Sequence, residues 1–184
     1  MKSFTFLKQG LKVIAFATPL LVHVSHASAP SGCEFNQPLA IDRVSEHIAD
    51  RYRGIGSRIE VIFRNERLNG PVDVFPEPPL TIQHVNSGKH CEIDGGVWVR
   101  AAVYLSGNEK ALLVQEYSGS TDELIIYGTD HCEQRVRIDV TGKRWRVSGS
   151  AIHLSERCSD DALCPAETAL SVEKYCSSLK GFHQ

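Results

Sequence analysis

From Arg58 onward, apolar and polar residues alternate with a period near two. Arg58-Ile59-Glu60-Val61-Ile62-Phe63-Arg64 is rich in β-branched residues and predicts a strand. Asn69-Gly70-Pro71 and Pro76-Glu77-Pro78-Pro79 then impose a stiff, non-helical loop, because proline fixes φ and lacks an amide donor. Further strands are expected at 81–85, 97–105, 111–117, 124–127, 134–140, 145–148 and 151–154. Between them stand Asp94-Gly95-Gly96, Ser106-Gly107-Asn108, Ser118-Gly119-Ser120-Thr121, Gly128-Thr129-Asp130 and Thr141-Gly142-Lys143. Turn signals about every 10–13 residues mark an antiparallel meander rather than βαβ units.

The fold class expected is therefore mainly β: antiparallel meander sheets, stapled by disulfides. The four strands between 97 and 140 would form one twisted sheet, like a single propeller blade. The chain is too short for a closed propeller, which needs at least about four blades. Helix is expected only near the ends. Ala166, Ala169, Leu170, Tyr175 and Leu179 recur at helical spacing behind Pro165, and Leu39, Val44, Ile48 and Tyr52 suggest a second helix.

The first 27 residues change the picture. Lys2, Lys8 and Lys12 form a basic start, residues 13–24 are largely apolar and uncharged, and Ser25, Ala27, Ser28 and Ala29 are small. This is the layout of a secretory signal peptide, and the apolar run is shorter than the ~20 residues of a membrane span. Cleavage after Ala27 fits best, because Pro30 would follow a cut after Ala29. The expected organisation is a signal peptide at 1–27 and a single domain at 28–184, exported to the periplasm, with no membrane insertion once the signal is removed. At 184 residues with 42% apolar content, one ordinary core is affordable. The formal charge of −2 argues against a nucleic-acid binder. Without the three lysines of the signal, the balance of 17 basic and 22 acidic residues is −5.

All six cysteines (Cys33, Cys91, Cys132, Cys158, Cys164 and Cys176) remain after that cut. In an oxidising compartment an even number reads as three disulfides, with fifteen pairings possible. Our expectation from order along the chain is Cys33–Cys91, Cys132–Cys158 and Cys164–Cys176. His90-Cys91 and His131-Cys132 lack the Cys-x2-4-Cys or His-x3-5-His spacing of zinc sites, so they read as bridged sulfurs beside surface histidines. No metal and no cofactor is expected.

A serine hydrolase would need a nucleophile, a base and an orienting acid. Ser120, His131 and Asp122 or Asp130 supply the residue types, but no strand-elbow-helix pattern surrounds Ser120. No phosphate-binding loop, dinucleotide fingerprint or paired-carboxylate motif occurs. Trp98 and Trp145 read as core residues. A small, stapled, acidic, exported β-protein without an active-site motif is more often a binder or inhibitor than an enzyme. The best binding candidate is the tip at 117–122, with Tyr117, Ser118, Gly119, Ser120, Thr121 and Asp122, because recognition concentrates on loops held by rigid strands.

Several stretches taken together resemble a known family. They are Val74-Phe75-Pro76-Glu77-Pro78-Pro79, His90-Cys91-Glu92-Ile93-Asp94-Gly95-Gly96-Val97-Trp98 and Val103-Tyr104-Leu105-Ser106, followed by Glu116-Tyr117-Ser118-Gly119-Ser120-Thr121-Asp122-Glu123-Leu124 and Ile138-Asp139-Val140-Thr141-Gly142-Lys143-Arg144-Trp145. The chain resembles the periplasmic immunity proteins that neutralise family-1 peptidoglycan amidase effectors of type VI secretion systems. The likeness runs over 58–176, some 119 of 184 residues, and includes Cys91, Cys132, Cys158, Cys164 and Cys176. Such effectors are papain-like Cys/His endopeptidases that cut the D-glutamyl–diaminopimelate bond of peptidoglycan. The resemblance implies a non-enzymatic protein whose partner is a cognate secreted amidase. It also implies that a serine-rich loop enters the amidase cleft near the catalytic histidine. Here that loop is Ser118-Gly119-Ser120-Thr121, with Ser120 and Thr121 at the inserting positions. Thr121 departs from the expected second serine, and the region before Arg58 does not match. The readings that compete are a periplasmic hydrolase using Ser120, or an inhibitor of another cell-wall hydrolase such as lysozyme.

Overall fold

The structure, a computed structural model, describes residues 32–45, 48–65, 72–76, 79–157 and 166–176. The signal segment 1–27, the 66–71 loop, Glu77, Pro78, Cys158 and Cys164 lie outside the described residues. Among the described residues thirteen strands follow in chain order. They are β1 (Ile41–Ser45), β2 (Ile48–Ile55), β3 (Ile59–Arg64), β4 (Val74–Pro76), β5 (Leu80–His84), β6 (His90–Ile93) and β7 (Val97–Leu105). Then come β8 (Ala111–Ser118), β9 (Thr121–Gly128), β10 (Gln134–Asp139), β11 (Lys143–Ser148), β12 (Ala151–Glu156) and β13 (Thr168–Ser171). Every pairing is antiparallel.

Three sheets stack in layers. The first has the order β1-β2-β3-β5-β6, the middle β10-β9-β8-β7-β4, and the outer β11-β12-β13. One core lies between the first and middle sheets. There Ile59, Val61, Phe63 and Ile82 meet Trp98, Val103, Leu112, Val114, Ile125 and Tyr127. Phe75 stacks on Phe63 with centroids 4.6 Å apart. A second core lies between the middle and outer sheets, where Leu113, Leu124 and Ile126 meet Ile152, Val140 and Val172, with Trp145 packed against them.

This layering explains the sequence pattern. β3 packs one face only and alternates strictly, with Ile59, Val61 and Phe63 buried. The middle sheet is covered on both faces, so its strands read as unbroken apolar runs, Ala111-Leu112-Leu113-Val114 and Leu124-Ile125-Ile126-Tyr127. Each such fully buried side chain contributes roughly 1.5–3 kcal/mol relative to exposure. The expected four-strand meander from 97 to 140 is β7-β8-β9-β10.

Both expected helices are corrected. Residues 41–45 and 48–55 are extended and pair as β1 and β2, with Ile41 opposite Gly54 and Arg43 opposite Tyr52. The β-branched Val44 and Ile48 and the aromatic Tyr52 suit a pleated surface, and pairing with β3 overrides the helical spacing. The C-terminal region forms β13, paired to β12 through Ile152–Leu170 and His153–Ala169, followed by a 3-10 turn at Glu173–Tyr175. A strand that closes the outer core satisfies Leu170 and Val172 better than an isolated helix of marginal length.

The disulfide expectation is corrected as well. The bonds are Cys33–Cys176 and Cys91–Cys132, with Cα separations of 5.2 and 5.8 Å. Layering places β6 over the connection after β9, and it brings segments 143 residues apart together beneath the outer sheet. Proximity along the chain carried no such information.

At one end the first and middle sheets are locked together by polar contacts. Glu109, at φ 55 in the β7–β8 turn, accepts the backbone N–H groups of Ser57, Arg58 and Ile59 at 2.6, 2.7 and 3.0 Å. His84 Nε2 lies 3.1 Å from the Thr129 carbonyl and 3.7 Å from Asp130. The Cys91–Cys132 bond lies at this same end. The β8–β9 turn projects from the other end.

Candidate functional site

Strands β8 and β9 pair from Ala111–Gly128 to Ser118–Thr121, which leaves Gly119 and Ser120 as a two-residue turn. Gly119 has φ 61 while Ser120 keeps a negative φ, the pattern of a type II′ turn, whose twist matches that of the strands it joins. The Thr121 hydroxyl donates to the Ser118 carbonyl at 2.7 Å and tightens the tip. Tyr117, Ser118, Gly119, Ser120 and Thr121 are all exposed, and no atom lies within 4 Å of where a side chain at Gly119 would begin. The site is convex: a rigid knuckle carrying hydroxyls.

The stem is braced on both faces. Toward the outer sheet, the Gln115 amide donates to Asp122 Oδ1 at 2.7 Å and to the Tyr117 hydroxyl at 3.2 Å. Asp122 also ties the hairpin to the β10–β11 turn. Its N–H donates to Thr141 Oγ1 at 2.9 Å, and its carbonyl accepts from Val140 N–H at 2.8 Å. Asp139 in turn accepts from the Thr141 N–H at 2.9 Å, and the Thr141 hydrogen bonds hold the Asp139 carboxyl below the usual carboxylate range.

Toward the first sheet, Glu116 lies directly opposite Glu123. Arg137 pairs with Glu123 and relieves the like-charge contact. Burial pushes the Glu116 carboxyl above its ordinary value; Glu123 adds to the rise, while Arg137 and the Gly96 N–H oppose it. Tyr127, deeper on the same face, is pushed up to about 12 by burial, with Glu116 contributing.

The structure sorts the sequence candidates. Tyr117, Ser118, Gly119, Ser120 and Thr121 stand together at the exposed tip, whereas Asp122 turns inward, 8% exposed, to meet Gln115. Ser120 and His131 do not form a catalytic pair. They lie beyond opposite ends of β9, whose eight residues span about 26 Å at strand rise. Asp130 sits beside His84, not His131. The sulfurs of the two His-Cys pairs are bonded to each other, which removes them as metal ligands. Trp98 is fully buried, and Trp145 packs edge-on to Tyr104 at 6.3 Å.

Three features escaped the sequence reading. Gln115 and Thr141, which hold the tip, are two. Gln115 was detectable as a polar residue continuing the apolar run of β8. The third is a second turn with the same residues. Ser148-Gly149-Ser150 joins β11 to β12 in the same register, with Gly149 at φ 59. This one is sealed: Phe35 N–H donates to the Gly149 carbonyl at 2.8 Å and Val172 N–H to the Ser150 carbonyl at 2.9 Å. The Cys33–Cys176 bond joins the segments that carry Phe35 and Val172.

Comparison with known proteins bears on what such a tip serves. The family model of Immune protein Tsi1 matches residues 33–176, so the likeness reaches back through the region before Arg58 that the motifs had not covered. The Immune protein Tsi1 of Pseudomonas aeruginosa is 31% identical over 161 residues, which is 85% of this chain and 92% of that protein. An exposed, braced hydroxyl turn on a layered β-framework thus occurs in a chain that belongs to the Tsi1 immune-protein family.

Proposed function

We propose that this protein is exported to the periplasm through residues 1–27 and there neutralises a type VI secreted peptidoglycan amidase by filling its active-site cleft with the turn Ser118-Gly119-Ser120-Thr121. The observation that carries this reading is the contrast between the two Ser-Gly-Ser turns: the carbonyls of Gly149 and Ser150 accept the N–H groups of Phe35 and Val172, whereas Ser118 to Thr121 are exposed and, among the described residues, bond only within their own hairpin, on a braced stem. A knuckle of this kind loses little conformational freedom on entering a cleft. The Ser118 and Ser120 hydroxyls can each donate to and accept from an imidazole. The main chain of the turn contains only ordinary α-peptide bonds, whereas the amidase class cuts a γ-linked D-glutamyl bond. The loop therefore occupies the cleft without being turned over.

The test is direct. Residues 28–184 are mixed with purified type VI amidase effectors of the proposed class, and complex formation and peptidoglycan cleavage are measured. A stoichiometric complex with cleavage abolished is expected. Absence of any complex, or hydrolysis of cell wall by this protein alone that is lost in Ser120→Ala, would overturn the reading.

A further inference from the structure

The face of β8 toward the outer sheet runs Ala111, Leu113, Gln115, Tyr117. The first two are fully buried and apolar, and Gln115, 7% exposed, continues their row. A primary amide in that position must satisfy its hydrogen-bonding groups or lose free energy, whereas a leucine there would carry no such cost. The amide is not idle. A carboxylate can only accept, so Asp122 draws the NH2 end of Gln115 toward itself and fixes the amide's orientation. The second N–H of the same group then donates to the Tyr117 hydroxyl. Tyr117 therefore accepts through its oxygen and keeps its own proton for another acceptor. Its ring, 38% exposed, is one of the described protein's large apolar groups at the surface, and it is held beside the Gly119–Ser120 turn by one bond.

We infer that Gln115 is a positioning residue: with one amide N–H on Asp122 and the other on Tyr117 it holds Tyr117 as a rigid anchor whose ring flank and outward O–H dock on the rim of the partner's cleft. The inference rests on the proposed amidase-binding role and adds an aromatic contact beside the hydroxyl turn. Buried aromatic anchors dominate many interfaces, and a side chain already fixed in its bound rotamer loses less entropy on docking. The arrangement explains why the stem directly below the tip is polar although it continues an apolar row. The residues favour recognition over packing.

The test uses residues 28–184 and the purified type VI amidase effector that forms the proposed complex, with dissociation rates and thermal unfolding measured on each variant. Gln115→Leu leaves the buried Asp122 carboxylate without its donor and should lower Tm somewhat, while the complex dissociates about tenfold faster than wild type, roughly the effect of freeing one rotamer-rich side chain. Tyr117→Phe, which keeps the ring and removes the tether, should accelerate dissociation severalfold at the wild-type Tm. Gln115→Glu sets two carboxyls against each other and should weaken binding, and adding Asp122→Asn restores a donor–acceptor pair and should recover most of the loss. Ser120→Trp serves as the reference. If Ser120→Trp abolishes binding while Gln115→Leu and Tyr117→Phe dissociate like the wild type, the anchor inference fails and the tip reading stands. If Gln115→Leu lowers Tm in proportion to its loss of binding and the exchanged pair rescues neither, Gln115 is only structural and the inference fails. If Ser120→Trp binds normally, both readings fall together.

Discussion

Two hairpins of this protein end in the same residues, Ser-Gly-Ser, with the same glycine conformation, yet one is part of the interior design and the other is not. Beneath the β11–β12 turn the paired residues are Val147 and Ile152, then Arg146 and His153. Beneath the β8–β9 turn they are Tyr117 and Asp122, then Glu116 and Glu123. An apolar pair just below a turn calls for cover, and Phe35 and Val172 supply it with two backbone hydrogen bonds. A polar pair satisfied by Gln115 and Thr141 needs none, so the turn above it stays open. The residues of a turn set its shape. The residues one step down the strands decide whether it faces solvent.

The largest way to break this contrast is to remove the cover. Cys33→Ser with Cys176→Ser opens a bond across 143 residues of sequence and should cost about 4 kcal/mol, measured by urea unfolding. Amide exchange at Phe35 and Val172 should rise more than exchange within β8 and β9. Equal rises everywhere would mean that the bond does not act through the sealed turn.

Placing the same residue in both turns sharpens the contrast. Ser150→Trp crowds a half-buried position whose carbonyl holds the Val172 N–H and should lose about 2 kcal/mol of stability, as overpacked sites do. Ser120→Trp should change stability by no more than about 0.5 kcal/mol while weakening inhibition of the amidase proposed as its partner about hundredfold or more. If both variants lose stability alike, the two turns do not differ as described.

Glycine replacement should show where the two turns are the same. Gly119→Ala and Gly149→Ala each force a side chain into the left-handed region with no new steric contact. Each should cost about 1 kcal/mol by thermal or urea unfolding. A large difference between them would point to an unequal backbone.

The smallest effect concerns the charged pair under the open turn. Glu116 has its folded pKa raised by burial, so the folded chain holds that proton more tightly than the unfolded chain does. Its ionisation therefore lowers stability, beginning as pH rises past the ordinary carboxylate value and reaching its full extent above the raised one. Glu116→Gln carries no such charge. It should equal the wild type in acid and exceed it slightly at neutral pH, with the gap opening across that window. A gap that is constant with pH would assign the difference to packing instead.

Much of this architecture was legible before the structure. The alternation of Ile59, Val61 and Phe63, and the glycine-marked turns from 94 to 143, place β3 and the meander correctly because local backbone preference and burial agree there. The tip at 118–121 was also visible, since Gly119 and its neighbours define a hairpin turn by themselves. The failures have one cause. Val44, Ile48 and Tyr52, like Ala169 and Leu170, fit helical and extended spacing equally well, and only distant partners, β3 and β12, decide between them. The disulfides were misread for the same reason, because layer stacking, not sequence order, sets which sulfurs meet. Gln115 could be seen as an anomaly, but its role required knowing that Asp122 faces it across the hairpin.

Position 119 must keep its left-handed backbone, but among the described residues no backbone hydrogen bond ties the carbonyls of residues 119 and 120 to the layers behind them. Selection can therefore rewrite the turn within that one condition. If the enzyme proposed as its target reshapes its cleft, these two positions can be replaced, or the turn lengthened, without any matching change in the three layers behind it. Lengthening the turn at Gly149 and Ser150 would break its hydrogen bonds to Phe35 and Val172. In an arms race, the open knuckle can follow its target one mutation at a time, while its sealed twin stays bound to the history of its neighbours.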